Sequence, residues 1–162
     1  KIVSIQNVYI GSSVYNSYMV AAKYGRFAVV SETERTTYGR QVTYYVETKG
    51  SGRVEVGTGK DGKRLAKTLA AALNNADVHD FEVLPPGFVD GERPERHDAD
   101  DWERWCFDTK AVPARIATAG KPATAAYLKV VYRRQESWIS TELGVGEQTV
   151  VQYLSDLREG RR

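Results

Sequence analysis

Apolar and polar residues alternate through the first fifty positions of the chain. The segments "IVSIQNVYI" (2–10), "VYNSYMVAAKY" (14–24), "RFAVVSETERT" (26–36) and "RQVTYYVETK" (40–49) are rich in Val, Tyr and Thr and are separated by "GSS", "YG" and a second "YG". A period of two in β-branched and aromatic residues, interrupted by glycine-bearing turns, predicts four strands of an antiparallel sheet. A short fifth strand follows at "RVEV" (53–56). The period then changes. In "KRLAKTLAAALNNA" Leu65, Leu69 and Leu73 stand four apart, a helical stripe able to pack on one sheet face. "HDFEVLPPG" (79–87) reads as a last strand, stopped by Pro85 and Pro86.

From Gly87 to about His97 proline, glycine and charge take over, as in a linker. "DADDWERWCFD" (98–108) predicts a short helix capped by Asp98 or Asp100, with Trp102, Trp105 and Cys106 on one face. That face must pack on the rest of the chain or on a second copy. "TKAVPARIATAGKP" (109–122) reads as a second connector. Three helical patterns follow. "KPATAAYLKVVYRRQ" has Pro122 in its first turn and Leu128, Val131 and Tyr132 on a stripe; "ESWISTELG" has Ile139 and Leu143 four apart; "GEQTVVQYLSDLRE" turns Val150, Tyr153, Leu154 and Leu157 inward. These patterns predict an α+β chain in three parts. Residues 1–86 form an antiparallel sheet with one packed helix, 87–120 an acidic connector with a short Trp-bearing helix, and 121–162 a three-helix unit.

Composition narrows the classes. With 162 residues, 41% hydrophobic and 27% charged, the chain can bury one good core, or a moderate domain with a small appendage. No run approaches the roughly 18 apolar residues that cross a bilayer, so no membrane partner is expected. A single cysteine, Cys106, makes no internal disulfide, which points to a reducing, cytoplasmic setting. The net charge of +2 is unevenly spread. Residues 1–75 hold eleven Lys and Arg against five acids, 76–108 hold three against eleven, and 121–162 hold seven against five.

The joint "LGVG" between the last two helices carries the most specific spacing. Ser140 supplies a small residue inside the first helix of the pair, Gly144 opens the turn, and Ile139, Leu143, Val145, Val150 and Tyr153 form an apolar corner. Over about residues 121–160 this resembles the helix-turn-helix DNA-binding superfamily, with Gly146 standing where a Ser or Thr often caps the second helix. The resemblance implies a sequence-specific double-stranded DNA-binding protein, a transcriptional regulator whose helix 147–159 enters the major groove. With Val150 inward, a turn of about 100° per residue sends Gln148, Gln152 and Ser155 outward with Thr149 and Val151 on the flanks; these are the expected base readers. Lys129, Arg133, Arg134, Arg158, Arg161 and Arg162 are the expected phosphate contacts. Asp156 and Glu159 turn the far end of that face acidic. A single reader spans few base pairs, so a homodimer is expected, with the sheet serving dimerisation, a protein partner, a small ligand or a second DNA contact.

Three enzyme-like signals are weaker. "GTGKDGKR" (57–64) nearly matches a phosphate-cradling loop, but Arg64 replaces the metal-binding hydroxyl. Glu47 and Lys49, with Glu32 or Glu34 on the neighbouring strand, resemble the carboxylate-lysine set of metal-dependent nucleases, although exposed strands commonly alternate such charges. His97 beside Asp98, with only His79 elsewhere, is poorly supplied for a metal. No catalytic residue, cofactor or metal is therefore expected. The alternatives are a metal-dependent nuclease or other mobile-element DNA-processing protein working through the sheet, and a protein-interaction module.

Overall fold

The structure is a computed structural model, described over residues 2–10, 13–21, 26–48, 52–85, 88 and 112–161. Five strands come first: β1 (Ile2–Ile10), β2 (Ser13–Ala21), β3 (Phe27–Thr36), β4 (Gly39–Thr48) and β5 (Gly52–Thr58). They pair antiparallel in sequence order, each with the next, as the alternation and the few residues between successive strands require. Numbered along the described chain, the helices are α1 (Gly59–Asn75), α2 (Ala114–Thr118), α3 (Lys121–Val131), α4 (Glu136–Leu143) and α5 (Glu147–Arg158). The chain is α+β, with the antiparallel sheet ahead of the C-terminal helices.

Register decides which side chains meet. Phe27 pairs with Thr48, Val29 with Val46, and Val46 in turn with Val54, so a period of two puts all of them on one face. That face is buried under α1, which meets it through Ala66, Leu69, Ala70 and Leu73. Alanines at the contact bring the helix close, and each buried leucine contributes roughly 1.5–3 kcal/mol. Asn74 fastens the far end. Its Oδ1 accepts from the Phe27 N–H at 3.0 Å and its Nδ2 donates to the Phe27 carbonyl at 3.2 Å, replacing the ladder bonds that the first residue of β3 would otherwise lack.

α1 has a second neighbour. Another of its faces packs on α3 and α5, and α3 in turn contacts α2, α4 and α5. One apolar cluster therefore runs from Phe27 and Val46 through Leu69 and Leu73 to Tyr127, Leu128, Val150 and Leu154. This explains why α3 is buried almost all round, at Ala123, Ala125, Ala126, Tyr127, Leu128, Val130 and Val131, where the sequence predicted a single stripe.

Three sequence expectations are corrected. The predicted strand at 79–87 is a series of turns over its described residues. Val78, Phe81 and Leu84 are buried three apart, which suits turns and not a strand. The Asp80 carboxylate accepts from the Glu82 N–H at 2.9 Å, and Leu84 N–H reaches the Phe81 carbonyl at 3.0 Å. The second connector contains α2, whose Ile116 is fully buried and whose Arg115 donates to the Asp77 carbonyl. The glycine-rich stretch "GTGKDG" is no loop, because β5 runs to Thr58 and α1 starts at Gly59. The predicted helix at 98–108, with Trp102, Trp105 and Cys106, lies outside the described residues, as do His97 and Lys49.

Candidate functional site

The bend at the end of the chain is built by glycine. Gly144 ends α4 with φ 65° and ψ 35°, the left-handed conformation that costs a residue with a Cβ roughly 1–2 kcal/mol. In that conformation its N–H reaches the Thr141 carbonyl at 3.3 Å and the Val145 N–H reaches the Ser140 carbonyl at 3.0 Å, the Schellman pairing that satisfies the last turn of α4. Gly146, extended at φ −72°, then starts α5, and no side chain caps it. Ile139 and Val150, both fully buried, pin the corner.

α5 presents three edges. Val150, Leu154 and Leu157 are buried against the neighbouring helices. Gln148 and Gln152 are exposed on the opposite side, and Ser155, about one turn beyond Gln152, is half-buried. Val151, 43% exposed, lines a cleft shared with α1, and Thr149 is half-buried. The five expected base readers thus lie on or beside one free edge of α5. Asp156 corrects the sequence expectation: its side chain is turned in and only 9% of the residue is exposed. Its Oδ1 accepts from Gln152 Nε2 at 2.6 Å and from Arg161 Nε at 2.9 Å. The acid is paired with a cation, and it holds the Gln152 amide through one N–H, a bond that uses neither the second N–H nor the carbonyl oxygen.

The expected phosphate contacts are dispersed. Arg161 also donates Nη2 to Ser155 Oγ at 3.1 Å, and so lies folded along α5. Arg134 stacks its guanidinium 4.5 Å from the Trp138 ring, with Nε and Nη2 buried. Arg133 has φ 57° and donates Nη2 to the Val56 carbonyl at 2.7 Å, tying the end of α3 to β5. Lys129 pairs with Glu136 at 3.1 Å. Burial would raise the Glu136 carboxyl, but a bond to its own backbone N–H and the Lys129 ammonium hold it below the usual range. Arg158 is half-buried, and burial first, then Arg64 across from it on α1, lower its guanidinium from the ordinary value. Arg162 is outside the described residues.

Cations from the first half of the chain lie on α1. Lys60, Lys63 and Arg64 are exposed and Lys67 is half-exposed. Their spacing of three and four makes a basic stripe, and Arg64 at its edge lines a cleft shared with α5. The sequence locates these cations but does not put Arg64 beside the C-terminal helices, because the packing of α1 on α5 has no local signature.

Two of the enzyme-like signals can be followed in part, Lys49, His97 and Asp98 lying outside the described residues. A Cβ on Gly62 would lie 2.5 Å from the Gly57 carbonyl oxygen, so the two glycines pack backbone on backbone where a phosphate loop would leave space for its ligand. Glu32 is opposite Thr43 while Glu47 is opposite Ala28, four positions apart and hence about 13 Å along the strands. Glu32 is instead engaged by Arg53 at 2.5 Å, whose guanidinium lies 4.0 Å from the Tyr45 ring. Among the described residues no three His, Cys, Asp or Glu side chains could hold a metal ion, and no helix is long and apolar enough to cross a membrane. In comparisons with known proteins the chain matches no family model, no curated protein and no solved structure.

Proposed function

We propose that the chain is a sequence-specific double-stranded DNA-binding protein of helix-turn-helix type that reads the major groove with α5. The observation that carries the reading is the free edge of α5. Gln148 and Gln152 stand in solvent on a helix whose opposite side is locked into the core by Val150, Leu154 and Leu157. A packed helix does not wobble, and a helix of about 10–12 Å diameter fits the groove. Glutamine offers a donor and an acceptor side by side, the pair that adenine matches, and Val151 can meet a thymine methyl. Lys60, Lys63 and Lys67 of α1 are the favoured phosphate contacts. Lys129, Arg133, Arg134 and Arg161 have structural partners and are less available for that role.

Two copies on adjacent half-sites, about 10–10.5 base pairs apart, would give a regulator its affinity. Selection of bound sequences from a random duplex pool tests the reading. A recovered motif that relaxes when Gln148 and Gln152 are both replaced by Ala, with binding to random DNA retained, supports it. Absence of any mobility shift at low salt sinks it and leaves a protein-interaction module.

A further inference from the structure

A cleft of about 380 Å³ lies between α1, α3 and α5. That size is within the range of small-ligand sites. Its charged lining is Arg64, Lys129, Arg133 and Arg158 against Asp61 and Glu136. Lys129 pairs with Glu136, whose carboxylate also acts on Arg158. Four cations then face two carboxylates, an excess of two positive charges. Neither Arg64 nor Arg158 takes part in an ion pair among the described residues, and Arg133 keeps its Nε buried without a hydrogen-bond partner. Gathering like charges around a recess costs free energy unless an anion joins them, and guanidinium forks match phosphate oxygens in pairs. Leu65, Val151 and Leu154 add apolar wall beside the charges.

We propose that this cleft binds a phosphate group, gripped from opposite walls by Arg64 of α1 and Arg158 of α5 above the anchored Arg133. Two sources carry that group, a free phosphate ester and the backbone of a DNA strand, and both present the same oxygens. Because Val151 and Arg158 belong to α5, an occupant of the cleft touches the helix that carries Gln148 and Gln152 on its other edge.

The test uses the full chain and pyrophosphate, titrated by calorimetry and followed by thermal unfolding, with sodium chloride at matched ionic strength as control. Saturable binding that raises Tm is expected, weakened about tenfold or more by Arg64→Gln and by Arg158→Gln, and unchanged by Lys121→Gln outside the cleft. Arg64 is exposed, so its variant keeps the test alive should Arg158→Gln disturb the fold. Random duplex separates the sources: displacement by pyrophosphate, with both variants weakened for duplex, identifies the DNA backbone, whereas pyrophosphate bound without displacement identifies a free ester. A chloride-like response to pyrophosphate together with unaltered duplex binding by both variants overturns the proposal. Pyrophosphate binding without any duplex binding would instead defeat the DNA reading and leave the cleft standing.

Discussion

At Gly62 the obstacle to a side chain is steric, and at Gly144 it is conformational. A methyl group on Gly62 meets the Gly57 carbonyl, and backbone has to move. Gly62→Ala is expected to cost about 2–4 kcal/mol, read as a lowered urea midpoint at constant m. Among the described residues nothing lies within 4 Å of a Cβ on Gly144, so only its φ of +65° resists substitution. Gly144→Ala should therefore cost less, about 1–2 kcal/mol. Tyr127 supplies a pH dependence. It is 1% exposed and its hydroxyl donates to the Val83 carbonyl; burial first, then Tyr132 beside it, raises its pKa well above the ordinary tyrosine value. A raised pKa gives stability that is complete below the unfolded value of about 10 and is lost as pH climbs beyond it, at up to roughly 1.4 kcal/mol per pH unit. Tyr127→Phe is expected to flatten that alkaline decline in unfolding experiments above pH 10, while costing about 1 kcal/mol at neutral pH through the orphaned carbonyl.

At the scale of elements, α5 begins without a side-chain cap. A Cβ at Gly146 would lie 3.7 Å from Thr149 Oγ1, an ordinary contact, so a serine fits there. Gly146→Ser should stabilise by a few tenths of a kcal/mol by accepting the N–H of Gln148 or Thr149, seen as a small rise in Tm. The stripe on α1 makes a different kind of prediction. Changing Lys60, Lys63 and Lys67 together to Gln is expected to weaken all duplexes alike and to reduce the slope of log K against log salt by about one per lysine, leaving any sequence preference intact. Strand and helix positions were legible because periods of two and four are local: β1 and β3 lie within a residue or so of their predicted spans, and α3 to α5 fall where Pro122, Gly144 and Gly146 mark them. The segment at 79–87 was misread because its alternation is brief, and buried residues three apart mimic a strand over so few positions.

For the whole molecule the decisive contact is α1 between the sheet and the C-terminal helices. Leu69 and Leu73 are fully buried in a cluster shared by both sides. Leu69→Ala is expected to cost about 2–5 kcal/mol and to lower the unfolding transitions of sheet and helices together, with far-ultraviolet and tryptophan signals remaining superimposed. A fragment of residues 112–162 alone would bare the flank of α3 and α5 that α1 covers, and should lose most of its helical circular dichroism. Separate transitions, or a stably folded fragment, would show that the shared cluster contributes little.

Residue order along the chain settles the local repertoire: which segments extend, which coil, where glycine bends the chain, and which edge of α5 carries glutamine. These follow from side-chain period and backbone preference, and both act over a few residues. Tertiary structure alone decided that Asp156 turns inward onto Gln152 and Arg161, that Glu32 and Glu47 stand apart, and that Arg64 meets Arg158 across a cleft. Each depends on register or on helix packing between residues distant in the chain. Such pairings are selected by the fit of whole surfaces and leave no repeat for a linear reading to find.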